Sequence, residues 1–187
     1  MKSAFVFLAT GFEETEAIGT VDVLRRAGIQ AATVSITGSK LVTGSHQVTI
    51  EADYLLEEAP LANAAALILP GGLPGATNLN ACVPLKEALL QQYRDGGIVA
   101  AICAAPLVLG GLGLLKGRKA TCYPGFEEYL IGAETCGADV EVDGNVITGK
   151  GPSLVFKFGL ALVAAIKGNP VAEETAAGTV SYTHLTL

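Results

Sequence analysis

Four short apolar runs, at residues 30–36, 4–9, 64–69 and 98–102, constrain the fold more than any other feature of this chain. The run at 4–9 (Ala-Phe-Val-Phe-Leu-Ala) is near-continuous rather than alternating. That is the signature of a central parallel strand covered on both faces. Helical stretches fall between such runs. Residues 14–27 carry acids at the start, Arg25 and Arg26 at the end, and Gly28 just beyond, the charge order a helix dipole favours followed by a glycine stop. Residues 83–94 are amphipathic and end at Gly96-Gly97, residues 104 onward begin another helix, and residues 154–166 form one closed by Lys167-Gly168. A last short helix starts after Pro170. Strands alternating with helices predict an α/β doubly wound, mostly parallel sheet with helices on both faces.

Smaller elements complete the reading. Residues 41–43 and 47–51 form a hairpin about Gly44-Ser45, residues 119–122 a short strand, and residues 140–142 and 146–148 a hairpin about Asp143-Gly144. The 23 glycines cluster at the ends of apolar runs, where tight turns and close backbone approach need them. A chain of 187 residues fits one domain, at 1–179, and buries roughly 70% of its unfolded surface without a staple. Residues 180–187 have no helical period, resemble a translated sequencing-library adaptor, and carry no functional weight.

Composition excludes several classes. Half the residues are hydrophobic and 16% are charged, which excludes a disordered chain. The formal charge of -6 speaks against a nucleic-acid partner. The apolar stretch 96–115 has the length of a membrane span, but Pro106 and three glycines interrupt it, so it reads as a buried strand turning into a buried helix. The apolar N-terminus runs into Glu13-Glu14-Thr15-Glu16 with no cleavage site and reads as a strand. The four cysteines lack the spacing of a metal or redox motif, which predicts a reducing, cytoplasmic setting with no metal and no organic cofactor.

In an open α/β sheet the ligand site lies at the carboxyl ends of the strands. Three segments fall there: residues 10–16, Pro70-Gly71-Gly72 and Ile102-Cys103-Ala104. Cys103 directly follows a strand and precedes a helix, so its side chain projects above the sheet near helix N–H groups that favour a thiolate. A buried, inert cysteine is the competing reading. Glu16 lies one turn into the first helix, within reach of neighbouring strand ends, although Glu13, Glu14 and Glu16 also read as exposed acids at a helix start. Gly71 and Gly72 allow close backbone approach, and their N–H groups suit an oxyanion. On the residues alone, a plain strand-ending turn is the better reading of them. Neither a dinucleotide fingerprint nor a P-loop is present. His46 sits in a hairpin turn and reads as solvated, and His184 lies in the tail, so no Cys-His dyad is indicated. Cys122 and Cys136 read as packing residues, and Cys82 as an exposed thiol.

The segments Gly11-Phe12-Glu13-Glu14-Thr15-Glu16-Ala17, Val21-Asp22-Val23-Leu24-Arg25-Arg26-Ala27-Gly28, Leu69-Pro70-Gly71-Gly72 and Ala100-Ala101-Ile102-Cys103-Ala104-Ala105-Pro106, with weaker support from Gly149-Lys150-Gly151-Pro152, resemble the ThiJ/PfpI family. The match covers residues 4–167 and points to the branch containing the human parkinsonism-associated protein and its bacterial relatives, within the class I glutamine amidotransferase-like superfamily. The resemblance implies a flavodoxin-like sandwich with a nucleophile elbow, a homodimer, Cys103 as nucleophile, Glu16 as its protonated partner on the sulfur, and backbone donors at Gly72 and Ala104. It also implies a glutathione-independent glyoxalase or deglycase acting on small α-oxoaldehydes or glycated substrates. A redox sensor or holdase working through oxidation of Cys103, and an amidotransferase-like hydrolase, are the alternatives. This chain departs from the pattern at four places. Ala104 replaces the histidine of the protease-like branch. Tyr123 stands where a histidine is frequent, His46 where an arginine often lies near the site, and Ser153 where glycine is usual.

Overall fold

The computed structural model describes residues 3–62 and 64–181. In chain order the elements are β1 (Ala4–Leu8), α1 (Glu14–Arg26), β2 (Ala31–Ser35), β3 (Leu41–Thr43), β4 (Thr49–Glu51), β5 (Tyr54–Leu55), β6 (Ala66–Leu69), α2 (Gly75–Ala81), α3 (Val83–Arg94), β7 (Ile98–Ile102), α4 (Pro106–Gly111), β8 (Lys119–Ala120), β9 (Glu134–Thr135), β10 (Val140–Asp143), β11 (Val146–Gly149), α5 (Val155–Lys167) and α6 (Asn169–Gly178). The main sheet has seven strands in the order β10-β11-β7-β6-β1-β2-β5. Every pairing in it is parallel except β10 with β11.

All five residues of β1 are buried, because it lies between β6 and β2 with both faces covered. The burial of β6 and β7 has the same cause, and Phe5, Phe7, Leu67, Ile68 and Leu69 join them in the centre of the core. Helix α5 packs against α1 and α6, and α2 against α3 and α4, and α1, α3, α4 and α5 also pack on the sheet. No helix among the described residues is long and apolar enough to cross a membrane. The stretch 96–115 instead holds β7 and the six-residue α4.

Local chemistry adjusted several boundaries. The hairpin turn expected at Asp143-Gly144 lies one residue later. Asp143 pairs with Val146, so Gly144, with φ +61°, and Asn145 form the turn. Asp143 stays in the strand because its carboxylate accepts from Arg118 Nη1 at 2.9 Å and from the Lys119 N–H at 3.0 Å. Helix α2 and the short strands β5 and β9 were not anticipated. They lack a repeating apolar pattern, and tertiary pairing forms them. Of the tail at 180–187, Val180 and Ser181 close the end of α6 through backbone bonds to Ala177 and Ala176. Residues 182–187, with His184 among them, lie outside the described residues.

The register brings the carboxyl ends of β1, β6, β7 and β11 together. Leu69 pairs with Ala101, and Gly149 with Ile102. The loops leaving these strands therefore meet above one end of the sheet, and they are held there by backbone bonds. Glu13 donates to Gly71 O at 2.9 Å, Gly75 to Gly11 O at 3.1 Å, and Cys103 to Gly149 O at 2.9 Å.

Candidate active site

Cys103 is the first residue beyond β7 and adopts φ +63°, a left-handed conformation that is unfavourable for a residue with a Cβ. It is held there from both sides. Its N–H is bound by Gly149, and its carbonyl accepts from the Tyr123 N–H at 2.8 Å. A strained backbone held this way turns the side chain out of the sheet and is a recognised feature of functional sites. The thiol is nevertheless buried.

Glu16 reaches the same point from α1. It is fully buried. Its Oε2 accepts the Gly71 N–H at 2.7 Å, while Oε1 has no hydrogen-bond partner. Its placement depends on Glu13, which caps α1 by accepting the Glu16 N–H on Oε2 at 2.6 Å. The reading of these acids as exposed is therefore corrected: Glu14 is only partly exposed, and Glu13 and Glu16 are buried. The helix cap and the site draw both carboxyl groups inward.

Gly71 lies against both Cys103 and Glu16, whose side chains are close enough to interact directly. A Cβ at this position would lie 2.7 Å from Cys103 Cβ and 2.9 Å from Glu16 Oε2, so only glycine lets the three segments meet. The N–H groups of Gly72 and Ala104 are directed at the Cys103 sulfur. Burial pushes the Glu16 carboxyl up to about 7, with the Glu13 charge adding to it and the Gly71 N–H opposing. Burial first, and the Glu16 charge second, push the Cys103 thiol up to about 12 against the two N–H groups. The thiolate expected from nearby helix N–H groups is thus not the resting form beside an ionised Glu16. Burial outweighs those donors, and α4 begins only at Pro106.

The remaining sequence candidates lie at the rim or elsewhere. Tyr123 is held beside Cys103 by its backbone bond and is 47% exposed. His46 is solvated as expected but not idle, since Nδ1 lies 3.0 Å from Glu14 Oε2 and its N–H donates to Glu14 Oε1 at 2.7 Å. That contact fastens the β3–β4 turn to the start of α1. Glu13, Glu14 and His46 also bring three donor atoms within 4.8 Å, but N–H groups already engage both carboxylates. Cys122 is buried, and burial first, with Glu127, pushes its thiol up to about 11. Cys136, expected to pack, is exposed, with its sulfur 3.2 Å from Glu141 Oε2. It sits just beyond β9, its N–H bonded to the Ala120 carbonyl of β8. Cys82, expected to be exposed, is half-buried between α2 and α3. Clefts of about 640 Å³ beside β10 and α5, and of about 540 Å³ at the opposite end of the sheet, are lined by neither Cys103 nor Glu16.

Known proteins resemble this chain in sequence and in fold. Residues 2–165 match the profile of the DJ-1/PfpI family. The chain is 39% identical over 180 residues to Parkinson disease protein 7 homolog of Danio rerio, covering 94% of this chain and 95% of that protein. It is 33% identical over 170 residues to glutathione-independent glyoxalase DJR-1.2 of Caenorhabditis elegans, covering 89% and 90%. It spans only 40% and 45% of the length of DJ-1 homologs B and A of Arabidopsis thaliana. Oxidized Toxoplasma gondii DJ-1 superposes with a TM-score of 0.92 at 32% identity, covering 97% of this chain and all of that one. On its sequence and on its fold, the chain belongs to the DJ-1/PfpI family.

Proposed function

We propose that the chain is a cysteine-dependent, glutathione-independent glyoxalase that converts small α-oxoaldehydes to 2-hydroxy acids. The observation carrying this reading is the buried Glu16 carboxyl, raised to about 7, set against Cys103 and held by the Gly71 N–H. A group titrating near the working pH serves as base and acid in turn, which this isomerisation requires.

The Glu16 carboxylate takes the thiol proton as sulfur bonds to the aldehyde carbon, and the carbonyl electron pair moves to oxygen. The N–H groups of Gly72 and Ala104 hold that oxyanion, each worth about 3 kcal/mol in comparable sites. Glu16 returns its proton to the oxygen, giving a hemithioacetal. It then removes the hydrogen from the former aldehyde carbon, and an enediol forms. Return of a proton to the neighbouring carbon, with the first hydroxyl losing its own, leaves a thioester beside a new hydroxyl. Water breaks the C–S bond, releases the 2-hydroxy acid and restores the thiol. One substrate carbon is oxidised while its neighbour is reduced, so the atoms and electrons balance within the substrate and water. The C. elegans relative carries this activity in its name. Loss of methylglyoxal with appearance of lactate, glutathione being absent, tests the proposal. A folded protein that leaves methylglyoxal intact refutes it.

A redox-sensing role is the second reading, favoured by the same N–H groups directed at sulfur. Two peroxides would convert the Cys103 thiol to a sulfinic acid and release two waters, and those donors would hold the new oxygens. Peroxide treatment that adds two oxygens at Cys103, in protein inactive toward methylglyoxal, favours this role. A homodimer and a cytoplasmic setting belong to the proposal as well. A second copy would cover exposed apolar side chains such as Ile18 and Leu41, and sedimentation at micromolar concentration checks this.

A further inference from the structure

Three aromatic residues follow the elbow at a spacing of three: Tyr123, Phe126 and Tyr129. Their backbone repeats the same interval. Phe126 donates to Tyr123 O at 3.0 Å, and Tyr129 donates to Phe126 O at 3.1 Å. Bonds between residues three apart bring side chains at that spacing onto one face. The rings accordingly touch in series, Tyr123 edge-on to Phe126 at 6.4 Å between centroids and Phe126 tilted against Tyr129 at 5.6 Å. Phe126 is half-buried and anchors the row, while Tyr123 and Tyr129 are each 47% exposed.

The row is pinned at both ends. At one end the Tyr123 N–H is bound to the Cys103 carbonyl. At the other, the backbone of Tyr129 presses on Gly110 of α4 so closely that a Cβ there would collide with the Tyr129 carbonyl. The outer part of the Tyr123 ring is not covered. Its neighbour across the site rim is Gly151, where an added Cβ would rest 3.5 Å from the ring and where glycine leaves open space. A large aromatic residue, with its backbone pinned and 47% exposed, thus stands one backbone hydrogen bond from the elbow residue. Hydrophobic gain from a small methyl ketone is slight here, but an aryl group can pack against a fixed ring.

We propose that Tyr123, braced by Phe126 and Tyr129, is a specificity-determining residue that directs the Cys103 site toward carbonyl substrates bearing an aromatic group, arylglyoxals above all. This inference rests on the glyoxalase reading for its substrate class but not for its test.

The test compares kcat/KM for phenylglyoxal and methylglyoxal in the wild type, Tyr123→Ala and Tyr123→Phe. It also compares alkylation of Cys103 by N-phenylmaleimide and N-ethylmaleimide, resolved by peptide mass, in the same proteins. Tyr123→Ala should lower the aryl-to-alkyl ratio by about twofold to tenfold in both assays, and Tyr123→Phe should hold it within about twofold. If both dicarbonyls are turned over and the ratios do not change in Tyr123→Ala, the aromatic row only braces α4 and the inference fails while the glyoxalase reading stands. If neither dicarbonyl is consumed but alkylation keeps its Tyr123-dependent aryl preference, the glyoxalase reading fails and the aryl-binding role stands.

Discussion

The backbone N–H of Gly71 donates to Oε2 of Glu16 at 2.7 Å, joining residues 55 positions apart in the chain. The bond fixes one carboxyl oxygen against the loop after β6. The other oxygen, Oε1, stays buried with no hydrogen-bond partner. A buried acceptor left unmatched costs stability, and such costs concentrate where chemistry is done. The same glycine packs against both Glu16 and Cys103.

The first prediction concerns that glycine. Gly71 is not left-handed, so alanine faces a problem of space alone. Its methyl group would lie 2.7 Å from Cys103 Cβ and 2.9 Å from Glu16 Oε2. Gly71→Ala should cost about 1–3 kcal/mol of stability by overpacking and reduce kcat/KM at least about tenfold by moving the pair. Thermal unfolding and turnover measure both, and wild-type values in either would contradict the packing described.

Glu16 ties stability to pH. Its folded pKa, about 7, lies above the ordinary 4.5, so the folded protein keeps a proton that the unfolded chain releases. Stability therefore falls as pH rises from 4.5 to 7, by roughly 3 kcal/mol in all. Glu16→Gln removes this penalty. The variant should gain on the wild type above neutral pH, and the gain should fade toward acid. Urea unfolding at about pH 5 and about pH 8 reads the difference. A gain independent of pH would argue against a raised carboxyl.

Glu14 behaves in the opposite way. Burial opposes its ionisation, but N–H groups of Glu14 itself, His46 and Val48, with the His46 ring, win and lower its pKa. Its stabilising contribution is present above the unfolded value of 4.5 and is lost as pH falls through the folded value. Glu14→Ala should cost about 1–3 kcal/mol at neutral pH, with the cost shrinking in acid. His46→Ala keeps the backbone donor and loses only an exposed ring contact, so it should cost less than about 1 kcal/mol. Equal losses in the two variants would show that the ring, not the backbone, holds the turn.

The inner strands β1, β6 and β7 were legible because burial on both faces writes itself as an unbroken apolar run, as at 4–9 and 98–102. Helix α1 was legible from its charge order and glycine stop, and α3 from its amphipathic pattern and the Gly96-Gly97 that follows. Cys103 and Glu16 stood out only through strand-end position and family motif. Their electrostatics did not, because burial is a property of the packed structure. The capping role of Glu13 was hidden for a related reason. An acid before a helix reads as solvated until the loop from β6 closes over it. Of the aromatic row only Tyr123 was singled out, as a departure from the family pattern, because contacts among the three rings arise only once the chain is folded.

The most direct test of the account is lactate formation from methylglyoxal without glutathione by wild type, Cys103→Ser and Glu16→Gln, each checked for folding. The account predicts turnover by the wild type and a loss of at least about a thousandfold in both variants, since nucleophile and proton shuttle act as a unit. Turnover that persists in either variant, or is absent from the folded wild type, would contradict it.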